Sequence, residues 1–422
     1  MNATAKAAAQ HTVDIAGRAL GRGWDADLTL KAEVADRARR HAQALDRLRS
    51  RKSRSGGQQR RLEYHVLRDR NAMFCSLLLA WPEYLPPVGY VGALQLCASL
   101  NARRDCGEAV KVFFRAKPGG GRRMLMKFGP QRRTLQRLAV DVLRASHGES
   151  RFDYCREGRG ATRAMLAMKS AVERGARWFS TSDIKDCYGS FDREGVIALL
   201  PLPRSIVENC FLISPATHIH GLEEEEEREA SEKAARRGIP QGSLASPFIA
   251  AMLLSPVLEH PTGKLVLVHG DDIVTGTKTR AECEANAHAL AEACLKHPAG
   301  PLIMKHNVVT KMGSPIEALG YRMVWRYECF GGGVRFRPSS AAFEKFYTRL
   351  EDQLFSEGLS DDLLDRALAK AREWAAGLPL WDRSSTGDDI VWTHIVQEVV
   401  GPVRARLKKA AGVGVYATHG SG

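Results

Sequence analysis

Two adjacent aspartates, Asp271 and Asp272, follow Leu265-Val266-Leu267-Val268-His269-Gly270 and precede Ile273-Val274. Four apolar residues, a tight polar step, paired acids and two further β-branched residues predict a buried hairpin with carboxylates at its tip. Neighbouring carboxylates in a low-dielectric place repel and raise each other's pKa, so the pair calls for a cation. A hard divalent ion with oxygen ligands, shared with substrate phosphates as Mg²⁺ commonly is, answers that need. The triplet alone also reads as an ordinary Asp-Asp turn. Gly387-Asp388-Asp389 repeats it after Arg383-Ser384-Ser385-Thr386, where a helical pattern opens and the acids read as helix-start residues. Context carries the signal at 271 and 272.

A third acid, Asp183, closes the strand-like run Arg177-Trp178-Phe179-Ser180-Thr181-Ser182, and a turn toward a helix follows through Tyr188 to Phe191. A carboxylate at a second strand end is what a two-metal site needs once the strands lie side by side. Next, Arg237-Gly238-Ile239-Pro240-Gln241-Gly242-Ser243 enters an apolar helix. Gly242 permits close backbone approach and Gln241 offers a donor and an acceptor, which suits a nucleotide's sugar and base. Upstream, strand-like runs from Phe113 and to Met126 flank Gly119-Gly120-Gly121. That hairpin presents Lys117, Arg122 and Arg123 toward a triphosphate, or is simply an exposed turn.

These groups sit in a chain of 422 residues, long enough for two or three packed units, with 44% hydrophobic and 26% charged residues. The net charge of +14 favours a polyanionic partner, nucleic acid first and an anionic membrane second. The nine cysteines are dispersed without Cys-x-x-Cys spacing, which suits a reducing cytosol. Residues Met1 to Leu20 carry no secretory pattern. Ile239 to Leu258 is uncharged over about the length of a membrane span, but Pro240, Pro247 and Pro256 make it a buried segment of a soluble protein.

The positioning elements follow in order. Leu28 to Arg70 is helical and basic, broken by a mobile loop, and the cations from Arg47 to Arg61 read as a nucleic-acid contact or a solvated surface. Trp81-Pro82 and Pro86-Pro87 break the chain and place a boundary near residue 90. The spacing of Leu135, Leu138, Val142 and Leu143 predicts a helix after Pro130. Glu223 to Arg237 predicts an exposed helical insertion with a Glu232–Arg236 pair. Arg280 to Leu295 is amphipathic, Ala318 to Met323 and Val334 to Phe336 return to strand patterning, and the chain is helical from Ser339. There Phe343, Phe346, Tyr347, Leu350 and Leu354 make one core-facing stripe, Gly358 ends it and Asp361 opens the next helix.

Together these segments resemble the reverse transcriptases. The order matches their palm motifs: Asp183 with Tyr188 five residues on, Pro240 to Ser243, the Asp271–Asp272 hairpin, and the Leu319-Gly320 turn. The hairpin from Lys117 to Arg123 and the helix from Pro130 to Arg137 resemble the fingers motifs. The resemblance spans about residues 110 to 325 and implies an α+β right hand, with a ferredoxin-like antiparallel palm, mixed fingers and a helical thumb. The expected division is a basic helical N-terminal extension over 1–90, fingers and palm over 91–337, and a thumb-like region over 338–422.

By the same resemblance, Asp183, Asp271 and Asp272 are catalytic and hold two Mg²⁺ ions, with Mn²⁺ as a substitute and Ile184 counted in the metal site. Lys117 and Arg123 clamp the incoming triphosphate, Gln241 and Gly242 line the nucleotide, and Tyr188 faces its 2′ position. The implied partners are an RNA template, in particular a noncoding RNA, a DNA product and deoxynucleoside triphosphates. A second copy of the chain or an accessory defence protein comes next, and a membrane is not expected. A cytoplasmic enzyme of the bacterial stand-alone kind, as in retrons, abortive infection or antiphage defence, fits this set. Two features depart from the family: His269, followed by Gly270, stands where its usual aromatic residue precedes the acids, and the later lysine motif aligns poorly, leaving Lys305 and Lys311 as candidates for a general acid near the pyrophosphate. Three rivals remain: an RNA-dependent RNA polymerase, which has an aspartate where Tyr188 stands; a template-independent or protein-primed DNA polymerase; and an inactive RNA-binding protein.

Overall fold

Alanine-rich and basic helical sequence opens the chain and folds as α1 (Ala3–Leu20), α2 (Leu28–Arg49), α3 (Gly56–Val66), α4 (Arg70–Ala80) and α5 (Leu85–Ser99). The structure, a computed structural model, describes residues 3–20, 27–50, 56–116, 121–156, 158–221, 225–326, 333–357, 362–381 and 400–410. Asp27 caps α2 by accepting the Leu30 amide at 2.8 Å, and Asp69 caps α4 by accepting the Asn71 amide at 2.7 Å. Gly56 and Gly57, expected within the loop between the two basic helices, instead open α3. The break expected at Pro86-Pro87 is a bend at Gly89, φ +70°, inside α5, which runs on past residue 90.

Then follow β1 (Val110–Ala116), β2 (Arg122–Lys127), α6 (Pro130–His147), α7 (Gly160–Glu173), β3 (Trp178–Ile184), α8 (Cys187–Ser190), α9 (Arg193–Leu199), α10 (Arg204–Cys210) and β4 (Ile219–His220). After them come α11 (Glu225–Ala235), α12 (Ser246–Leu254), β5 (Leu265–His269), β6 (Asp272–Thr277), α13 (Arg280–Leu295) and β7 (Met304–Lys311). The chain continues through β8 (Ile316–Ala318), β9 (Tyr321–Arg326), β10 (Gly333–Pro338), α14 (Ser340–Glu357), α15 (Leu363–Ala376) and α16 (Gly401–Ala410). Mixed helices and largely antiparallel sheets make this the expected α+β class. Arg51, Lys52, Arg54, Glu223, Glu224, Cys329, Gly358, Asp361 and the second Gly-Asp-Asp triplet lie outside the described residues.

Two compact units divide the chain. The first contains Met1–Asp153, Ile184–His260 and Leu290–Lys305. Its sheet has the order β2-β1-β4, with β1 and β2 antiparallel and β4 parallel to β1. Val110, Val112, Met126, Phe128, Ile213 and Ile219 form the core beneath it. In the N-terminal helices Ala5, Ala9, Ala38 and Ala42 bury together with Cys75, small side chains that let helix backbones approach closely. Arg132 of α6, only 2% exposed, is neutralised by Asp105 at 2.9 Å and bonded to the Thr217 hydroxyl and the Glu108 carbonyl. The Glu108 carboxylate accepts the Gln131 and Arg132 amides, capping α6 where Pro130 occupies its first turn.

The second unit contains Tyr154–Asp183, Pro261–Ala289 and His306–Gly422. Its four-stranded sheet has the order β5-β6-β3-β7, and its three-stranded sheet β10-β9-β8. Met165, Met168, Phe179, Leu267, Val274, Tyr321, Met323 and Phe336 bury together in one core. The Leu319-Gly320 turn closes the β8–β9 hairpin with φ of +54° and +81°, the two positive values of a type I′ turn. In the predicted stripe Phe346, Leu350 and Leu354 are buried, and Phe346 stacks on Trp374 at 4.3 Å, so core packing is its purpose.

Among the described residues no helix is long and apolar enough to cross a membrane. The uncharged run from Ile239 becomes a partly buried loop and the buried helix α12.

Candidate active site

The hairpin predicted at the acids is present as β5 and β6, with Leu267, Val268, Ile273 and Val274 buried. His269 pairs with Asp272, leaving Gly270 and Asp271 as a two-residue loop. Gly270 has φ +70°, and Asp271 is not among the positive-φ residues. That combination is the type II′ turn, which needs glycine at its first central position. The glycine at 270 thus has a local cause, whereas the departure from the family pattern lies at His269.

Strand β6 pairs on its other side with β3, and the register sets Asp183 directly opposite Asp272. Directly opposed residues project from one face with Cβ atoms about 4.5–5.5 Å apart, so the two carboxylates share a face, with Asp271 next in chain at the turn. His269 stands in the same row, beside Asp272. Between β3 and β6 the buried Ser180 and Thr275 hydroxyls, also paired in register, bond at 2.9 Å and help hold the two strands together. Ile184 follows Asp183 and is wholly buried. Because side chains alternate along a strand, its side chain leaves by the opposite face, and only its backbone carbonyl is suited to an ion.

Three carboxylates from two adjacent strands are the donor chemistry of a hard divalent cation. Among the described residues no three His, Cys, Asp or Glu side chains stand as an assembled metal cage. The backbone register supplies the proximity, and the donor set fits Mg²⁺ in type.

A second constellation lies within the first unit. The Tyr188 carbonyl accepts the Ile239 amide at 2.8 Å, and a Cβ on Gly238, φ +61°, would lie 2.3 Å from that same carbonyl oxygen. Two residues on, the Met126 amide donates to the Gln241 carbonyl at 2.8 Å, so the Pro240-Gln241-Gly242 loop joins the edge of β2. The motifs carrying Tyr188, Gln241 and Gly242 and the Arg123-bearing strand are therefore linked through backbone. Tyr188 and Gln241 are half-buried, Gly242 and Arg123 exposed. Arg123 pairs across the hairpin with Arg115, a like-charge juxtaposition that an anion would relieve. Lys117 lies outside the described residues.

The structure separates the two lysine candidates. The Lys185 amide bonds to the Ile303 carbonyl and the Met312 amide to the Arg177 carbonyl, so β7 runs antiparallel to β3. Lys311 sits with its ammonium 5.9 Å from the Trp178 ring, five residues and about 16 Å along β3 from Asp183. Lys311 is thereby set aside as a general acid. Lys305 stands at the other end of β7, close in chain to Ile303.

Sequence reading missed two positioning residues. Asp186 adopts φ +48°, and its carboxylate lies over Gly189 and pairs with Arg237 at 2.6 Å. This ties the turn carrying Tyr188 to the loop carrying Gln241. Aspartate's tolerance of the left-handed region was a faint signal, and nothing marked Arg237. His297 is the other. Its Nε2–H donates to the Leu253 carbonyl and its Nδ1 accepts the Ala299 amide, each at 3.0 Å, while its ring meets Phe191 edge to face. Ala299 in turn accepts the Asp192 amide. Burial pushes the His297 pKa down, outweighing the upward pull of the Leu253 carbonyl.

Residues 116–323 match the family model for reverse transcriptase (RNA-dependent DNA polymerase). Among solved structures, apo telomerase from Candida tropicalis, truncated from its C-terminal domain, is similar at 13% identity and a TM-score of 0.34. The match covers 52% of this chain and 54% of that one, so the chain spans about half the length of this neighbour. No curated protein matches the sequence.

Proposed function

Residues 116–323 of this chain are a reverse transcriptase domain, and from that premise we propose that the protein adds deoxynucleotides to a primer end opposite an RNA template. The observation that carries the reading is the register Asp183 opposite Asp272, with Asp271 in the adjoining turn, inside the matched segment. In the reaction a 3′-hydroxyl oxygen bonds to the α-phosphorus, the α–β bridging bond breaks, the hydroxyl proton departs and pyrophosphate leaves. Asp183, Asp271 and Asp272, with the Ile184 carbonyl, would hold two Mg²⁺ ions. Once bound, such ions acidify the hydroxyl and neutralise charge on the leaving group.

The other roles belong to the chain's own residues. Arg123 and Lys117 hold the triphosphate, Gln241 and Gly242 line the nucleotide, and Tyr188 lies against its 2′ position. Lys305 supplies a proton to the pyrophosphate. Residues 1–90 serve as a basic extension, 91–337 as fingers and palm and 338–422 as thumb. Service in antiphage defence in the bacterial cytoplasm, with a dedicated noncoding RNA, rests on the sequence resemblance to stand-alone enzymes. Incorporation of labelled deoxynucleotides on an RNA template, compared with a DNA template and with none, tests the assignment. Product that requires RNA supports it, and equal product without template replaces it with the template-independent reading.

A further inference from the structure

The turns that follow α3 and α5, with the start of α4, carry an arginine cluster that the polymerase reaction does not use. Tyr64, in the last turn of α3, holds two guanidiniums: Arg103 lies 4.1 Å and Arg68 5.2 Å from its ring centroid. Arg68 also donates to the Tyr64 hydroxyl at 3.3 Å. Arg68 and Arg70 line a cavity of about 270 Å³ with Met73, Cys97, Leu100 and Asn101. Ring contacts of this kind order the planar fork of arginine in advance of a ligand.

The nearby carboxylates are engaged elsewhere. Asp69, between the two arginines, caps α4; Asp105 is held by Arg132 and Thr217; Glu63 accepts from Gln59 and pairs with His147. Among the described residues no acid lies within ion-pair distance of Arg68, Arg70 or Arg103. Cations gathered without a counter-ion repel one another, and an anion in their midst relieves this. Arg60 precedes Tyr64 by one helical turn and is exposed on the same side of α3, so the charge continues as a track. A track suits a polymeric anion better than a single small one.

We propose that Arg68, Arg70 and Arg103, ordered on Tyr64, form a binding site for backbone phosphates of single-stranded RNA, outside the reverse transcriptase domain. Forked donors match phosphate oxygens, and each contact releases condensed counterions.

The test uses the full chain and a short fluorescein-labelled single-stranded RNA of mixed sequence, followed by anisotropy across a salt series without nucleotides. The Arg68→Gln/Arg103→Gln variant should bind about tenfold more weakly, with a log–log salt slope shallower by about 1.4 units for two lost contacts. The control removes equal charge from α2 as Arg39→Gln/Arg40→Gln, both exposed and beside Asp36, and should leave the slope unchanged. Tyr64→Leu keeps every charge and should raise Kd severalfold by releasing the two guanidiniums. An unaltered slope in Arg68→Gln/Arg103→Gln overturns the site, as does an equal loss in the α2 control. Stabilisation by inorganic phosphate that the Arg68/Arg103 change removes, with RNA binding intact, also overturns it in favour of a small-anion site. Because no nucleotide is present, a failed polymerase reading and a failed site give separate results.

Discussion

The Met126 amide and the Gln241 carbonyl bond at 2.8 Å, and a Cβ on the next residue, Gly242, would lie 2.3 Å from the Met126 carbonyl oxygen. A β-strand edge and a glycine loop are thus in backbone contact, with no room for a side chain between them. Gly242 also has φ +108°. Gly242→Ala must push the loop off β2 and adopt a strained backbone, at a cost of about 1–3 kcal/mol. The expected result is a fall of about tenfold or more in kcat/KM for deoxynucleotide. Gly333→Ala, at an ordinary φ and with open space around it, is the matched control and should be near neutral. Full activity in Gly242→Ala would refute a role for this contact.

Replacing Asp271 and Asp272 together by Asn removes one charge from the face shared with Asp183 and another from the adjoining turn, and preserves shape. Polymerisation should fall below detection while the circular dichroism spectrum and melting temperature stay close to those of the parent chain. A chelator should abolish activity of the parent reversibly, with restoration by Mg²⁺. Substantial activity of the double variant at saturating Mg²⁺ would show that these acids are not the ion ligands.

Tyr188 tests sugar selection. A ring against the 2′ position excludes ribose by overlap, whereas a carboxylate there could accept a hydrogen bond from the hydroxyl. Tyr188→Ala should raise ribonucleotide use relative to deoxynucleotide while much of the deoxynucleotide rate survives. The quantity to compare is the ratio of kcat/KM for the two sugars. An unchanged ratio makes Tyr188 a packing residue, and a parental preference for ribonucleotides overturns the assignment to DNA synthesis.

Two buried histidines give stability a pH dependence of known sign. His41, 4% exposed, and His297 both have their pKa lowered, chiefly by burial. Around His41, Asp141 and Asp69 pull upward and are outweighed. Each imidazole is neutral in the fold and protonates more readily once unfolded, so the unfolded state binds more protons below about pH 6.5. Their neutral-state stability is full above that value and is lost as pH falls from there toward the lowered folded pKa. Urea midpoints measured between about pH 8 and pH 5 should decline on the acid side. His41→Leu should flatten the decline without lowering the neutral-pH midpoint greatly, and an unchanged slope would show that His41 is not its source.

Legibility followed the range of the forces involved. The Asp271–Asp272 hairpin, the helix from Pro130 and the Glu232–Arg236 pair, observed at 2.6 Å, are local patterns of period, cap and charge. Sequence reading reached them directly. It also placed Asp183 at a strand end, though the pairing of Asp183 with Asp272 is a long-range register that resemblance, and not spacing, supplied. The Asp186–Arg237 pair, the Tyr64 cluster and both nitrogens of His297 depend on side chains brought together from distant segments. No residue type or spacing announces such meetings. The glycine at 270 has its reason in a φ of +70° that the letters alone do not show.

That reason bears on how the protein can evolve. The His269–Asp272 pair encloses two residues, and the β5–β6 and β3–β6 ladders hang from it in a single register. Inserting or deleting one residue in the turn shifts one arm by a step, which rotates a strand's side chains to the other face and takes a carboxylate away from Asp183. Substitutions can still be sampled there one codon at a time, as His269 illustrates. Changes of length are closed off, so homologues that keep this chemistry should vary at the flanking position 269 and hold the residue count of the loop constant.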